Sequence, residues 1–173
     1  MSKSLPLLRG NITLRSAIED DDNILQELSY PDQRIEFFTY LYTRRQKIEA
    51  IVSYHLGFGK AELCQIGDID EWIAGSFNVC IPVYIDERAH HHAKRVLIRF
   101  PLPYKVGELR NPGNAEEKLR CEVAAFIWIQ ENCSAIPIPR LWGFGFPGGQ
   151  SVCYPSSFSK QTLIMIHLVY RTS

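Results

Sequence analysis

Residues Trp72–Glu122, WIAGSFNVCIPVYIDERAHHHAKRVLIRFPLPYKVGELRNPGNAEEKLRCE, decide how the chain reads. They spell a strand starting at Trp72, a Gly75-Ser76 turn, two further strands, and a helix carrying Glu122. Val79, Ile81, Val83 and Ile85 alternate with Cys80, Pro82 and Tyr84, the two-residue period of a strand. Pro82 has no N–H to donate, so an open edge or a bulge is expected beside it. Lys94 to Phe100 alternates too, with Val96, Ile98 and Phe100 on one face and Leu97 and Arg99 on the other. Asp86 to Ala93 joins the two strands as a polar hairpin connection.

Downstream, Pro101 and Pro103 end the third strand, and Asn111-Pro112-Gly113 makes a turn. Asn114 is a natural N-cap, with Glu117 placed to complete a capping box. Glu116 and Arg120 form an i,i+4 pair on the outer surface. Leu119, Val123, Phe126 and Ile127 make an apolar stripe in a helix ending near Asn132. Glu122 lies beside that stripe, where an unpaired carboxylate is costly. Arg99 read alone is an ordinary exposed strand arginine, but Glu122 gives it a partner. The two are therefore expected within salt-bridge distance. A strand cation that reaches a helix carboxylate is how kinase-like folds hold nucleotide phosphates.

Upstream, Ile35, Phe38, Leu41, Tyr42, Ile48, Ile51 and Val52 fall three or four apart, predicting one long amphipathic helix stopped by Gly57 and Gly59. The crowding of Phe37, Phe38, Tyr40 and Tyr42 reads as core. Asp20, Asp21 and Asp22 open a short helix over Ile24–Leu28, which Tyr30-Pro31 ends; acids in a first turn suit the dipole better than they suggest a metal. Residues 1–15, broken by Pro6 and Gly10, read as irregular. Residues between Gly59 and Trp72 are short and mixed. His90, His91 and His92 point in different directions on a loop, which disfavours a metal site.

Nineteen basic residues balance nineteen acidic ones. No general field for nucleic acid follows from such a balance. A hydrophobic fraction of 46% allows a packed core. The five cysteines form no CxxC pair and read as buried thiols of a reducing compartment, by default the cytoplasm. The first residues, MSKSLPLLRGN, lack a signal-like apolar stretch, and no run is long enough for a membrane span.

Four segments in order, GSFNV (75–79), VLIRFP (96–101), KLRCEVAAFIWI (118–129) and IPIPRLWGFG (136–145), resemble the amino-terminal lobe of the aminoglycoside phosphotransferase family, in its fungal, protein-kinase-like branch. The resemblance covers about residues 35–149. It implies an α+β fold: a helical arm over 1–58, then a kinase-like N-lobe over 59–149 with an antiparallel sheet and one αC-like helix. It also implies nucleotide-binding roles. Gly75, Ser76 and Asn78 would form the loop over the phosphates, and Leu97 would roof the adenine. Arg99 would hold phosphate, and Glu122 would pair with that cation. The loop lacks the fuller G-x-G-x-x-G of protein kinases, and arginine binds as a planar fork where lysine is a point charge.

Phosphoryl transfer also needs an aspartate base, an aspartate on magnesium and an asparagine nearby. In the family these belong to a second, mostly helical lobe. The last aspartate of this chain is Asp86, and no acidic residue follows Glu131. The expectation is thus a truncated, kinase-like domain without its C-lobe. It would bind ATP weakly, lack magnesium and transfer no phosphoryl group by itself. The competing class is a non-catalytic interaction or regulatory protein that uses the lobe as a docking surface. No Ser/His/Asp or Cys/His arrangement supports other chemistry, and Gly75-Ser76 is no nucleophile elbow. Residues 150–173 change in character, and Thr162 to Tyr170 read either as a fifth strand leading to a hinge or as an unrelated tail of a truncated product, with the strand preferred. With no charge from Gln161 to Tyr170, that strand is expected to expose a pairing edge. Leu97 and Phe126 are expected partly uncovered beside it. Self-association or a protein partner on the exposed cleft face would follow.

Overall fold

The computed structural model describes residues 3–8, 10–19, 23–58, 63–89 and 94–146, and the backbone of 151–153 and 164–168. The chain forms two compact units, Met1–Thr43 and Arg44–Ser173. The expected helical arm over 1–58 is therefore shared between them, and its second half belongs with the sheet.

In the first unit, residues read as irregular instead pair as an antiparallel hairpin, β1 (Ser4–Pro6) and β2 (Asn11–Thr13). The short helix α1 (Leu14–Ile18) follows, capped by Thr13 and Ser16, each side chain bonding the other residue's backbone. Helix α2 (Ile24–Glu27) starts at Asn23, whose side chain accepts from the Gln26 N–H at 3.2 Å. The acidic run at 20–22 lies outside the described residues. Tyr30-Pro31 opens α3 (Tyr30–Thr43) rather than closing the helix before it. Proline suits a first turn, where its missing N–H has no partner to lose.

The long helix expected over 35–52 is two helices. Arg44 leaves helical geometry (φ −107°, ψ 14°), and α4 (Arg45–His55) begins after it. The single stripe breaks accordingly: Ile35 is 65% exposed, whereas Phe37 and Phe38 are both buried.

The second unit is a seven-stranded sheet with helices. Its strands are β3 (Cys64–Ile66), β4 (Ile73–Ala74), β5 (Asn78–Ile85), β6 (Arg95–Pro101), β7 (Arg140–Gly145), β8 (Ser151–Cys153) and β9 (Ile164–Leu168). The order is β3-β5-β6-β9-β7-β8, with β4 also on β5. The class is α+β and the hairpin ladders are antiparallel, but the sheet is not antiparallel throughout. β9 runs parallel to both its neighbours, β6 and β7. It is paired on both sides, so the free edge expected of this segment is absent.

The alternation read in β5 and β6 is realised. Val79, Ile81, Val83, Val96 and Ile98 are fully buried on one face. The register aligns Ile98, position 166 and Gly143 in one row. Gly143 lies directly under the His55 ring of α4, where a Cβ would collide with it. This apolar face is thus the α4 face. α4 also packs on β3, where the Glu49 carboxylate accepts the Ile66 N–H at 3.0 Å. Leu97, position 165 and Leu141 make the alternate row. Leu141 packs with Leu119 and Val123 of α6 (Asn114–Asn132), so that row faces α6. Phe126 and Ile127 extend the same cluster, partly buried.

Two local solutions differ in how they meet the sequence reading: at Pro82 the open edge it expected is present, and at α6 the expected cap is not. Pro82 sits inside a central strand, but its partner strand is interrupted there. The chain leaves β3 at Gly67, makes a 3-10 turn over Ile69–Glu71 and returns as β4. Only the Pro82 carbonyl is needed, accepting from the Gly67 N–H at 2.8 Å. Trp72 is buried at this turn, its indole donating to the Gly67 carbonyl at 2.9 Å. The second difference is the α6 cap. Gly113 (φ 105°) is the N-cap, not Asn114, whose amide instead donates to the Val106 carbonyl at 2.8 Å. The Glu108 carboxylate takes the Gly113 and Ala115 N–H groups at 2.8 and 2.7 Å, so a negative group does sit at the positive helix end.

Candidate functional site

Asn78 opens β5, and its carbonyl accepts from the Gly75 N–H at 2.8 Å, closing the β4–β5 turn. Opposite Cys80 on the neighbouring strand stands Arg99. Period two therefore points Asn78, Cys80, Leu97 and Arg99 at α6. On α6, Lys118 and Glu122 are one turn apart on the same side. The four polar side chains meet at a single atom, Glu122 Oε1. The Lys118 ammonium contacts it most closely, the Asn78 amide donates to it at 3.3 Å, and Arg99 Nη2 reaches it at 3.5 Å. Lys118 also donates to Asn78 Oδ1 at 3.2 Å.

Arg99 and Glu122 therefore do meet, from strand to helix, beneath the sheet. Their side chains are each 24% exposed and that of Lys118 is 21%, sheltered from screening yet open to solvent on one side. The cluster holds two cations against one carboxylate. Beside it, burial pushes the Cys80 thiol up; Arg99 works against this and Glu122 adds to it. A thiol so protonated is a poor nucleophile.

Of the residues singled out in the sequence, Asn78, Arg99 and Glu122 are brought together. Asn78 is not at the tip of a loop but is 6% exposed and committed to the cluster. Leu97 shares Arg99's face two residues away, opposite Pro82. Gly75 and Ser76 lie in the exposed turn before β5, and among the described residues neither hydrogen-bonds to the cluster side chains. Lys118 is the residue sequence reading passed over. Its signal was the i,i+4 spacing to Glu122.

The Asp86 carboxyl is held down at about 2, first by the Arg88 side chain, whose guanidinium pairs with it at 2.8 Å. Cys64 is pushed up to about 11 by burial and then by Glu49. Among the described residues there is no group of three or more His, Cys, Asp or Glu suited to a metal ion, and no helix long and apolar enough to cross a membrane. The triple histidine, 90–92, lies outside those residues. The ionic cluster itself does not suit magnesium, which takes oxygen ligands, because its one carboxylate is already shared by two cations. No family model matches this chain, and no curated protein or solved structure does either.

Proposed function

We propose that residues Arg44–Ser173 form a nucleotide-binding lobe of the aminoglycoside phosphotransferase type, kinase-like in its N-lobe, that transfers no phosphoryl group by itself. The observation that carries this reading is the Arg99–Glu122 contact at 3.5 Å, a sheet cation steadied by a helix carboxylate. In such lobes a cation placed this way holds the α- and β-phosphates, and the carboxylate fixes its position. Asn78 adds a neutral side chain that orients the carboxylate. Residues 87–173 hold no aspartate, so the role proposed for them is nucleotide binding.

The test is titration of the purified protein with a fluorescent ATP analogue, alongside a phosphoryl-transfer assay with aminoglycoside and peptide acceptors. Binding that is weakened about tenfold or more by Arg99→Met, with no transfer, is expected. Turnover that Arg99→Met abolishes would restore an enzyme, and ATP binding indifferent to Arg99 would remove the site.

A further inference from the structure

We infer that Asn78 ties the β4–β5 turn to α6, so that the cover of the site and the helix behind it move together. Calling that turn a cover rests on the function proposed above; the tie itself does not. Asn78 is 6% exposed, and a buried amide is costly unless both its ends are bonded. Both are, and among the described residues both bonds leave the sheet for α6. Asn78 Nδ2 donates to Glu122 Oε1 at 3.3 Å, and Oδ1 accepts from the Lys118 ammonium at 3.2 Å. These partners fix which way round the amide stands, because an ammonium can only donate and a carboxylate can only accept.

The backbone of the same residue closes the turn. Its carbonyl accepts from the Gly75 N–H at 2.8 Å, which leaves Ser76 and Phe77 at the tip. The tip has little burial of its own: Gly75 and Ser76 are exposed, and Phe77 is 54% exposed. Its position therefore depends on the base that Asn78 provides. Gly75 and Ser76 make no bond to the cluster side chains among the described residues, so the path from turn to helix runs through Asn78. Such a tie acts in both directions with the same free energy. A ligand that settles the turn steadies the first half of α6, and a partner that shifts α6 loosens the turn.

The experiment is residue-resolved amide exchange by NMR on the full chain without nucleotide. Wild type, Asn78→Asp, Glu122→Gln and the double variant are compared, with thermal melts to confirm folding. Asn78→Asp keeps the shape and the acceptor for Lys118, but replaces the donor to Glu122 with a repelling oxygen. The Gly75 amide is expected to exchange about tenfold faster, the effect of one charge-assisted hydrogen bond. The Ile66 amide, held by Glu49 at the other end of the sheet, should keep its rate. Glu122→Gln alone should leave Gly75 near wild type, since glutamine still offers Asn78 an oxygen. The double variant restores the bond with donor and acceptor exchanged, and should bring Gly75 back to within about threefold of wild type. A merely structural loss at position 78 would not be rescued in this way. An unchanged Gly75 rate in an Asn78→Asp protein that melts normally would overturn the inference. So would an equal rise at Ile66, a rise in Glu122→Gln as large as in Asn78→Asp, or a double variant no slower than Asn78→Asp. The expected rates in a protein that binds no ATP analogue would keep the tie and remove the nucleotide reading.

Discussion

The two faces of one sheet divide the work of this molecule. On the α4 face, β5 and β6 present Val79, Ile81, Val83, Val96 and Ile98, none with any exposed surface. On the α6 face the same strands present Asn78, Cys80, Leu97 and Arg99, and the helix answers with Lys118 and Glu122. Adjacent residues in a strand thus serve unrelated ends. One face can carry an excess of positive charge because the other supplies the burial that holds the strands together.

The largest effect should come from breaking the apolar face. Ile98→Ala removes a fully buried side chain from the middle of the sheet and should cost about 2–5 kcal/mol in chemical denaturation. Affinity of the remaining folded protein for the fluorescent ATP analogue should not change. Arg99→Met, one residue along, should give the opposite pattern. Its stability should shift by about 1 kcal/mol or less, since it gives up one long contact and a donor without an acceptor, whereas affinity for the fluorescent ATP analogue should fall about tenfold or more. If the two variants behave alike, the faces are not separable.

The smallest effect concerns His55, the imidazole on the apolar side. Burial lowers its pKa from the ordinary 6.5. The unfolded chain therefore binds the proton more readily, and stability rises with pH where the two states differ. The contribution is fully present above about 6.5 and is lost as pH falls toward the folded value. Melting wild type and His55→Asn side by side from pH 8 to 5 should show the wild type losing more. Parallel curves would mean that His55 is not held neutral by its place over Gly143.

The alternating strands and the Arg99–Glu122 meeting were legible in sequence because both follow from period: two in β6, near 3.6 in α6. Lys118 obeyed the same rule but was hidden by the nearer interest of Glu122. The hairpin of β1 and β2 was missed because three-residue strands, one containing proline, give no period to read. The division of α3 from α4 was missed since the apolar spacing runs on past Arg44 while the backbone does not. The α6 cap came from Glu108, outside the local window in which capping signatures are sought. That β9 would be a strand could be read from its composition. Its parallel place between β6 and β7 could not, because such pairing is set by distant chain segments.

That place has a consequence for how the protein is made. β9 joins β6 to β7, yet it leaves the ribosome roughly 70 residues after β6 is complete, about 3–13 s at ordinary rates of synthesis. During that interval the hydrogen-bonding edges that β6 and β7 will give to β9 have no native strand between them. The nascent chain therefore carries the open β6 edge while α6 and β7 are made, and the sheet can close only when β9 follows.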